Sequence, residues 1–327
     1  MILQKKLKSL ISQWPKSVTI IYSPSQSGLI ENIETYCEGK YRIQIIKLQG
    51  EPDTQWVLNQ AVSGKIIVGI GGGSVMDAAK VLSLAPKNEA DLSTMFHEMG
   101  ANPKSVKRKY RLCLIPSNFS SGAWASRTAV ISYKDLKMTI LGPDLIPDAV
   151  LILPELAISL SPELRVMSSY DTLSHWFELY SHVPISEKLW LRSLEGWLED
   201  FTQHLQNTNY QKLFLLSEWL YSDFVPLTIS SWPLHVLAHC LQTGGKSSHS
   251  SILATLVPRA IERCHNLEPT GKILAQKFLT QFPAPKIPLR PDDLKDAIQR
   301  ATSISPHRLP DWQPYFDAIL DSNPQKP

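Results

Sequence analysis

The segment IIVGIGGGSVMDAAKVLSLAP, from Ile66 to Pro86, joins a short apolar run to a helix-like run through three consecutive glycines. The β-branched residues before the glycines predict a buried strand, and Met76–Ala85 predicts a helix. Glycine lets backbone amides approach a ligand closely, and the start of a helix presents unpaired N–H groups that favour anions. The segment therefore predicts a strand, a tight turn and a helix, and the turn either has no ligand or holds a pyrophosphate.

Strand-like and helix-like runs alternate on both sides of this segment. The apolar, β-branched runs predict strands at Val18–Tyr22, Tyr41–Leu48, Lys65–Ile70 and Tyr110–Pro116. The runs that predict helices between them are Leu29–Cys37, Thr54–Val62 and Met76–Ala85. Such alternation predicts a parallel sheet covered by helices, which is an α/β domain. Further strands or a hairpin are predicted at Arg127–Ser132 and Ala149–Leu153.

After Pro154 the pattern changes to long helix-compatible segments that are rich in Leu and Trp. Ser161, Pro162 and Glu163 predict the start of one helix, because they supply a cap, a proline in the first turn and an acid beside the positive end of the dipole. The sequence thus predicts an α/β domain at residues 1–154 and an all-α domain at residues 155–327.

Composition and charge exclude several classes of protein. Lys and Arg number 33 against 30 for Asp and Glu, and this near-balance argues against nucleic acid or a membrane surface as the main partner. The four cysteines form no CxxC, so neither a disulfide framework nor a thiolate metal site is indicated. The N-terminal MILQKKLKSLISQWP lacks the continuous apolar core of a signal peptide, and no stretch approaches the about 18 apolar residues of a membrane span. We therefore expect a cytoplasmic protein.

Carboxylate and imidazole side chains recur at helical spacing in the second half. Asp171 and His175 are four residues apart in DTLSHWFE, and His235 and His239 are four apart in HVLAHC, with His249 following. Residues four apart lie on one face of a helix. A carboxylate with several imidazoles is a usual ligand set for Fe²⁺ or Zn²⁺. The alternative is that each histidine caps a helix or is half-buried with a hydrogen bond.

These motifs, in this order, resemble the iron-dependent (group III) alcohol dehydrogenase family, within the dehydroquinate synthase-like superfamily. GGGSVMDAAK is similar to the family's GGGSxxDxAK signature, and DTLSHWFE is similar to its DALTHAIE. HVLAHCLQTGGKSSHSSILATLVP resembles its HGMAH…HG…LLP stretch, with the family's interval from His235 to His249. LIPSNFSSGAWAS and KMTILGPDLIPDAVLILPEL stand where the family has a threonine-rich segment and a Lys…Pro-Asp segment.

The resemblance implies an N-terminal Rossmann-like, dinucleotide-binding domain and a C-terminal helical metal-binding domain. It implies Fe²⁺ or Zn²⁺ held by Asp171, His175, His235 and His249. His239 would be a proton-relay group beside the nicotinamide and the substrate. The family's positions for NADP or NAD are occupied here by Gly71, Gly72, Gly73, Ser74, Asp77, Ser117, Asn118, Ser121 and Lys137. The implied activity is hydride transfer between the nicotinamide and a small alcohol or aldehyde, catalysed by a homodimer.

The sequence departs from the family at several cofactor positions. Ser117 and Asn118 replace paired threonines, and Trp124 replaces a glutamate. Pro24 stands where NAD-preferring members carry an acid, and losing that acid removes a repulsion against a 2′-phosphate, so NADP is expected at least as much as NAD. Two alternatives to a dehydrogenase remain open. One is a cyclase or lyase resembling dehydroquinate synthase, for which the ligand segment offers only Lys246 as a phosphate-binding cation, and the other is a non-catalytic protein that keeps the fold.

Overall fold

A computed structural model describes residues 2–101, 107–134, 136–184, 186–224, 233–242, 248–263, 267–284 and 289–304, together with residues 313, 316, 317 and 319. The chain forms two compact units, Met1–Ser159 and Leu160–Pro327. The sequence placed the boundary earlier, after Pro154. The difference arises because Leu156, which follows Pro154, packs in the core of the first unit.

The first unit is built on a parallel sheet. The strands of this sheet are β1 (Ser17–Tyr22), β2 (Arg42–Lys47), β3 (Ile66–Gly71), β4 (Arg111–Pro116) and β7 (Ala149–Val150). Strands β5 (Thr128–Tyr133) and β6 (Leu136–Leu141) belong to a separate hairpin. Among the described residues the strand order of the parallel sheet is β2-β1-β3-β4-β7, and each neighbouring pair is parallel. Every residue of β3 is buried, as expected for a strand that is covered on both faces. The predicted α/β architecture is confirmed.

Helices of the first unit connect and cover these strands. They are α1 (Ile2–Ile11), α2 (Ser27–Cys37), α3 (Thr54–Leu58), α4 (Gly73–Leu84), α5 (Glu89–Ala101) and α6 (Pro154–Ala157). The three predicted helices correspond to α2, α3 and α4, whereas α1 and α5 were not predicted. α3 begins at a cap in which Asp53 accepts a hydrogen bond from the backbone N–H of Trp56. α1 contributes Leu7 and Ile11 to the core beneath the sheet.

A separate antiparallel hairpin consists of β5 (Thr128–Tyr133) and β6 (Leu136–Leu141). The predicted run Arg127–Ser132 supplies β5, whereas the predicted run Ala149–Leu153 supplies β7 of the main sheet. β6 was not among the predicted strands. The hairpin packs against α4 and α5.

The regular secondary structure in the described residues of the second unit is helical. Its helices are α7 (Pro162–His182), α8 (Lys188–Gln206), α9 (Tyr210–Trp219), α10 (Pro233–Leu241), α11 (His249–Arg263), α12 (Pro269–Gln281) and α13 (Pro291–Ile304), and a π-helical turn at Leu220–Phe224 follows α9. α7 begins as predicted, with the Ser161 hydroxyl accepting a hydrogen bond from the backbone N–H of Leu164. α7 packs against α8, α10 and α11. In the described part of the chain, no helix combines the length and the apolar character that a membrane crossing requires.

Candidate metal centre and nucleotide-binding turn

One face of α7 carries three polar side chains towards neighbouring helices. Asp171, His175 and Glu178 are four and three residues apart, so they lie on the same face. Asp171 and Glu178 are buried, and His175 is half-buried. α10 and α11 pack against α7 and bring His235 and His249 to this face.

Three of the four predicted metal ligands lie close together. The ligand atoms offered by Asp171, His235 and His249 are all within 4.8 Å of one another, and Oδ1 of Asp171 is 3.4 Å from Nε2 of His235. Donor atoms bound to one ion at about 2.1 Å stand about 3 to 4 Å apart. One carboxylate and two imidazoles at this spacing therefore fit a divalent transition-metal ion.

His175 lies against this group of three but is not part of it. The centre of its ring is 3.9 Å from that of His235, and its Nδ1 is 3.5 Å from Oδ1 of Asp171. The same nitrogen is 2.8 Å from the backbone carbonyl oxygen of Asp171. That contact assigns the ring proton to Nδ1 and leaves the lone pair on Nε2. The predicted fourth ligand is thus adjacent to the site, outside the set of mutually close ligand atoms.

His239, the predicted proton-relay residue, stacks on His249. Their ring centres are 4.4 Å apart and their planes are inclined by 17°. The His249 ring lies 5.5 Å from the His235 ring, so the three imidazoles form a continuous group. His239 therefore lies beside the three close ligands rather than among them, and its role as a proton relay stays a prediction.

The electrostatics of the site favour positive charge at His235. Burial by itself lowers the pKa of His235, but the charge of Glu178 and the contacts with Asp171 outweigh burial and raise this pKa to about 9. Burial raises the pKa of Asp171, and the neighbouring His235 lowers it in part. Burial and the neighbouring His235 hold the pKa of His175 well below its usual value, so its imidazole is neutral. The site thus stabilises a cation beside two carboxylates and keeps His175 in the form that binds metals.

Two neighbours of the site were missed by the sequence analysis. Glu178 accepts hydrogen bonds from Nδ1 of His235 at 2.5 Å and from the backbone N–H of Leu234 at 2.7 Å. The buried Tyr221 places its hydroxyl 3.2 Å from Nδ1 of His175, with the two rings nearly perpendicular. Glu178 is two helical turns from Asp171, so helical spacing was a usable signal. Tyr221 lies on another element, 46 residues from His175, and no local pattern marks it.

The predicted phosphate-binding turn lies at the carboxyl end of β3. β3 ends at Gly71, Gly72 precedes α4, and Gly73 and Ser74 form the first turn of α4. A Cβ on Gly71 would lie 2.8 Å from Cγ2 of Val75, whereas nothing lies within 4 Å of a Cβ on Gly72. Packing therefore requires glycine at position 71, while position 72 borders open space at the start of a helix.

The end of β4 contributes polar side chains beside this turn. The backbone N–H of Ser117 donates a hydrogen bond of 2.8 Å to the carbonyl of Gly71. Ser121 approaches Gly73, since a Cβ there would lie 3.2 Å from that of Ser121. The side-chain oxygen of Asn118 accepts hydrogen bonds from the backbone N–H and the hydroxyl of Ser120. Ser117 and Ser121 therefore lie beside the glycine turn, whereas the side chain of Asn118 forms its hydrogen bonds within the segment that follows β4.

Asp77 and Lys80 connect α4 to the hairpin rather than to the glycine turn. Asp77 accepts a hydrogen bond from the backbone N–H of Val130, and burial raises its pKa to about 7 despite the nearby charge of Lys80. The ammonium of Lys80 donates to the carbonyl oxygens of Ser126 and Thr128 at 2.7 and 2.8 Å. Burial lowers the pKa of Lys80 to about 8.

Lys137, a predicted cofactor contact, lies on β6 and forms an ion pair with Glu51. Its side chain is mostly buried, and that of Glu51 is partly exposed. The pair ties the hairpin to the segment before α3. A contact between Lys137 and a cofactor would have to share or replace this ion pair.

Comparisons with known proteins agree with this architecture. The family model described as iron-containing alcohol dehydrogenase matches residues 4–154. The 1-propanol dehydrogenase PduQ of Salmonella typhimurium is 25% identical over 242 residues, which cover 70% of this chain and 53% of that protein. The first unit of the chain thus resembles the iron-containing alcohol dehydrogenase family.

The family's fold extends over both units. The crystal structure of NADH-dependent butanol dehydrogenase A from Thermotoga maritima matches this chain with a TM-score of 0.73 and 16% identity, over 97% of this chain and 92% of that chain. Long-chain-alcohol dehydrogenase 1 of Geobacillus thermodenitrificans is 25% identical over 121 residues, or 37% of this chain. The chain spans 30% and 53% of the lengths of the two curated relatives.

Proposed function

We propose that this protein is a metal-dependent, NAD(P)-linked alcohol dehydrogenase or aldehyde reductase. The observation that carries the proposal is the group formed by Asp171, His235 and His249, whose ligand atoms are mutually within 4.8 Å. The similarity to the iron-containing alcohol dehydrogenase family supports the same chemistry, because the two curated relatives are named as dehydrogenases of 1-propanol and of long-chain alcohols.

The proposed metal ligands are Asp171, His235 and His249, with His175 as the fourth, and the ion is Fe²⁺ or Zn²⁺. When bound, the ion supplies Lewis acidity that polarises the C–O bond of the substrate, and the nicotinamide accepts or supplies a hydride. Asp171 contributes the negative charge that offsets the ion, and the imidazoles of His175 and His249 would add donor nitrogens without a negative charge.

His239 is the proposed proton acceptor for alcohol oxidation. Oxidation removes a hydride from the carbinol carbon and a proton from the hydroxyl group, and in aldehyde reduction both return. A ring nitrogen of His239, or a water beside it, takes the hydroxyl proton in this scheme. Its stacking on His249 fixes the orientation of the imidazole next to a proposed ligand.

The proposed cofactor contacts centre on the turn after β3. The open space at Gly72 and the start of α4 suit the pyrophosphate. The segment Ser23–Ser27, which follows β1, contains no carboxylate, and the hydroxyls of Ser23 and Ser25 lie 3.0 Å apart. A site without a carboxylate does not repel a 2′-phosphate, so we propose that NADP is used at least as well as NAD. The active protein is proposed to be a homodimer.

The alternative functions have less support. The relatives cited above are named as dehydrogenases rather than cyclases or lyases. Lys246, the phosphate-binding cation considered for a cyclase, lies outside the described residues. A non-catalytic protein has no need of a buried carboxylate beside several imidazoles.

The proposal is tested by measuring net consumption of cofactor. The protein is stripped of metal with a chelator, reloaded anaerobically with Fe²⁺ or Zn²⁺, and mixed with short and medium-chain aldehydes and either NADH or NADPH. We expect metal-dependent oxidation of the cofactor, with kcat/KM for NADPH at least equal to that for NADH. Cofactor binding without net oxidation by any aldehyde would favour a cyclase, and absence of cofactor binding would favour a non-catalytic protein.

A further inference from the structure

Glu178 is a buried carboxylate between α7 and α10 that the proposed catalytic chemistry leaves unused. Its exposed fraction is 1%, and both of its oxygens accept hydrogen bonds from the start of α10. Oε2 accepts from Nδ1 of His235 at 2.5 Å, and Oε1 accepts from the backbone N–H of Leu234 at 2.7 Å. The same carboxylate therefore contacts the ring of a proposed metal ligand and the backbone immediately before it.

We propose that Glu178 is a positioning residue for the metal centre, which keeps the ring proton of His235 on Nδ1 and thereby reserves Nε2 for the metal ion. Nε2 is the nitrogen that faces Asp171, at 3.4 Å from its Oδ1. Metal-bound histidines commonly donate their other N–H to a carboxylate, which fixes the tautomer and the ring orientation. This inference rests on the proposed metal-dependent function and adds to it a residue that touches neither the ion nor the substrate.

The contact between Glu178 and the backbone N–H of Leu234 links the orientation of the His235 ring to the position of α10. The first N–H groups of a helix have no acceptor within the helix, and a negative charge is favourable at that end. Glu178 satisfies one of these groups at the start of α10. Because Leu234 and His235 are consecutive, one carboxylate fixes both the beginning of α10 and the imidazole that follows.

Replacing Glu178 by glutamine discriminates this role from simple packing. An ionised carboxylate only accepts hydrogen bonds, so it suits two donors, whereas an amide offers one accepting oxygen and one donating NH₂. If the amide oxygen stays with Leu234, the NH₂ group meets Nδ1 of His235 and drives the ring proton to Nε2. If the oxygen stays with His235, the NH₂ group meets the N–H of Leu234. The second arrangement sets two donors against each other, whereas the first keeps both hydrogen bonds and is therefore favoured. The first arrangement places the ring proton on the nitrogen needed for the metal.

The experiment compares the full-length wild type with Glu178→Gln and with Glu163→Gln, an exposed glutamate on the same helix. Zn²⁺ affinity is measured by competition with a chromophoric chelator. The position of the ring proton of His235 is measured in the metal-free proteins by ¹⁵N NMR with labelled histidine, at a pH high enough for the imidazole to be neutral, and the signals are assigned with His235→Gln. We expect Glu178→Gln to weaken Zn²⁺ binding about 10- to 100-fold and to change Nδ1 from a protonated to an unprotonated nitrogen. Glu163→Gln should match the wild type in both measurements.

The two measurements separate failure of this inference from failure of the proposed function. If Glu178→Gln binds Zn²⁺ as the wild type does and keeps Nδ1 protonated, the positioning role is refuted. If it loses affinity but keeps Nδ1 protonated, Glu178 acts through packing alone and the inference is also refuted. If the wild type does not bind Zn²⁺ while Nδ1 still responds to the substitution, the proton assignment stands and the metal site fails.

Discussion

Gly71 and Gly72 are neighbours in the turn after β3, but the space around them differs. A Cβ on Gly71 would approach Val75 to 2.8 Å and the Ser23 hydroxyl to 3.1 Å, whereas a Cβ on Gly72 meets nothing within 4 Å. Gly72 also has φ −87°, which any residue adopts. Packing therefore explains why position 71 is glycine. We explain the glycine at position 72 by access of a ligand to the backbone.

This difference predicts opposite outcomes for two alanine substitutions. Gly71→Ala should lower the free energy of unfolding by about 1 to 3 kcal/mol, because the added methyl group overpacks the turn. Gly72→Ala should change that free energy by less than about 0.5 kcal/mol but raise the Kd for NADPH at least about tenfold, because its methyl group occupies the proposed pyrophosphate space. Urea denaturation and fluorescence titration measure the two quantities, and unchanged NADPH binding by Gly72→Ala would argue against a phosphate site at this turn.

Residues whose position at the candidate site follows from local spacing were predictable from the sequence, and those that reach the site through packing between elements were not. Asp171 and His175 share a helical face, and the interval between His235 and His249 carries the family resemblance. Glu178 shares the same periodicity, but a glutamate on a helix is usually solvent-exposed, and only the packing of α10 reveals that this one is buried. Tyr221 reaches the site from a π-helical turn after α9, a backbone irregularity that sequence spacing does not encode.

At the scale of elements, α4 is joined to the hairpin by a buried ammonium group. Nζ of Lys80 donates to two backbone carbonyls and approaches the Ser126 hydroxyl at 3.3 Å. Burial lowers the pKa of this group to about 8, against 10.5 for a free lysine. Between these two pH values the folded protein binds fewer protons than the unfolded chain, so the contribution of Lys80 to stability rises with pH.

We therefore expect wild-type protein to gain stability relative to Lys80→Met as the pH is raised from about 8 to 10. The slope of the difference in unfolding free energy is at most about 1.4 kcal/mol per pH unit for one group. Urea denaturation of both proteins across this range provides the measurement. Lys65→Met, at an exposed lysine of the same unit, is the matched control. A difference between wild type and Lys80→Met that stays flat or falls with pH would contradict the assignment.

Elements with strong intrinsic patterns were predicted well, and elements that depend on partners were not. β1 to β4 are runs rich in apolar residues, and the start of α7 carries its own cap. β6 is short and mixed in composition, and its pairing with β5 supplies the stability that its own residues do not. α1 was missed because lysines interrupt its apolar residues, although Leu7 and Ile11 are buried in the core.

At the scale of the whole molecule, the two units have separate proposed roles. The first carries the turn for the dinucleotide, and the second carries the carboxylate and imidazole group. The two-domain division was predictable from the change in pattern after Pro154. Its position was not, because the burial of Leu156 in the first core depends on tertiary packing.

The proposed dehydrogenase activity requires one divalent ion held by Asp171, His235 and His249. The direct measurement is elemental analysis of protein purified without oxygen, incubated with Fe²⁺ or Zn²⁺ and dialysed against metal-free buffer. Wild type, Asp171→Asn and Asp200→Asn are compared, since Asp200 is an exposed carboxylate of the same unit. We expect about one ion per chain in the wild type and in Asp200→Asn, and a large loss in Asp171→Asn, because the amide lacks the charge that offsets the ion. A wild type that retains no metal, or an Asp171→Asn protein that retains as much as the wild type, would contradict the account.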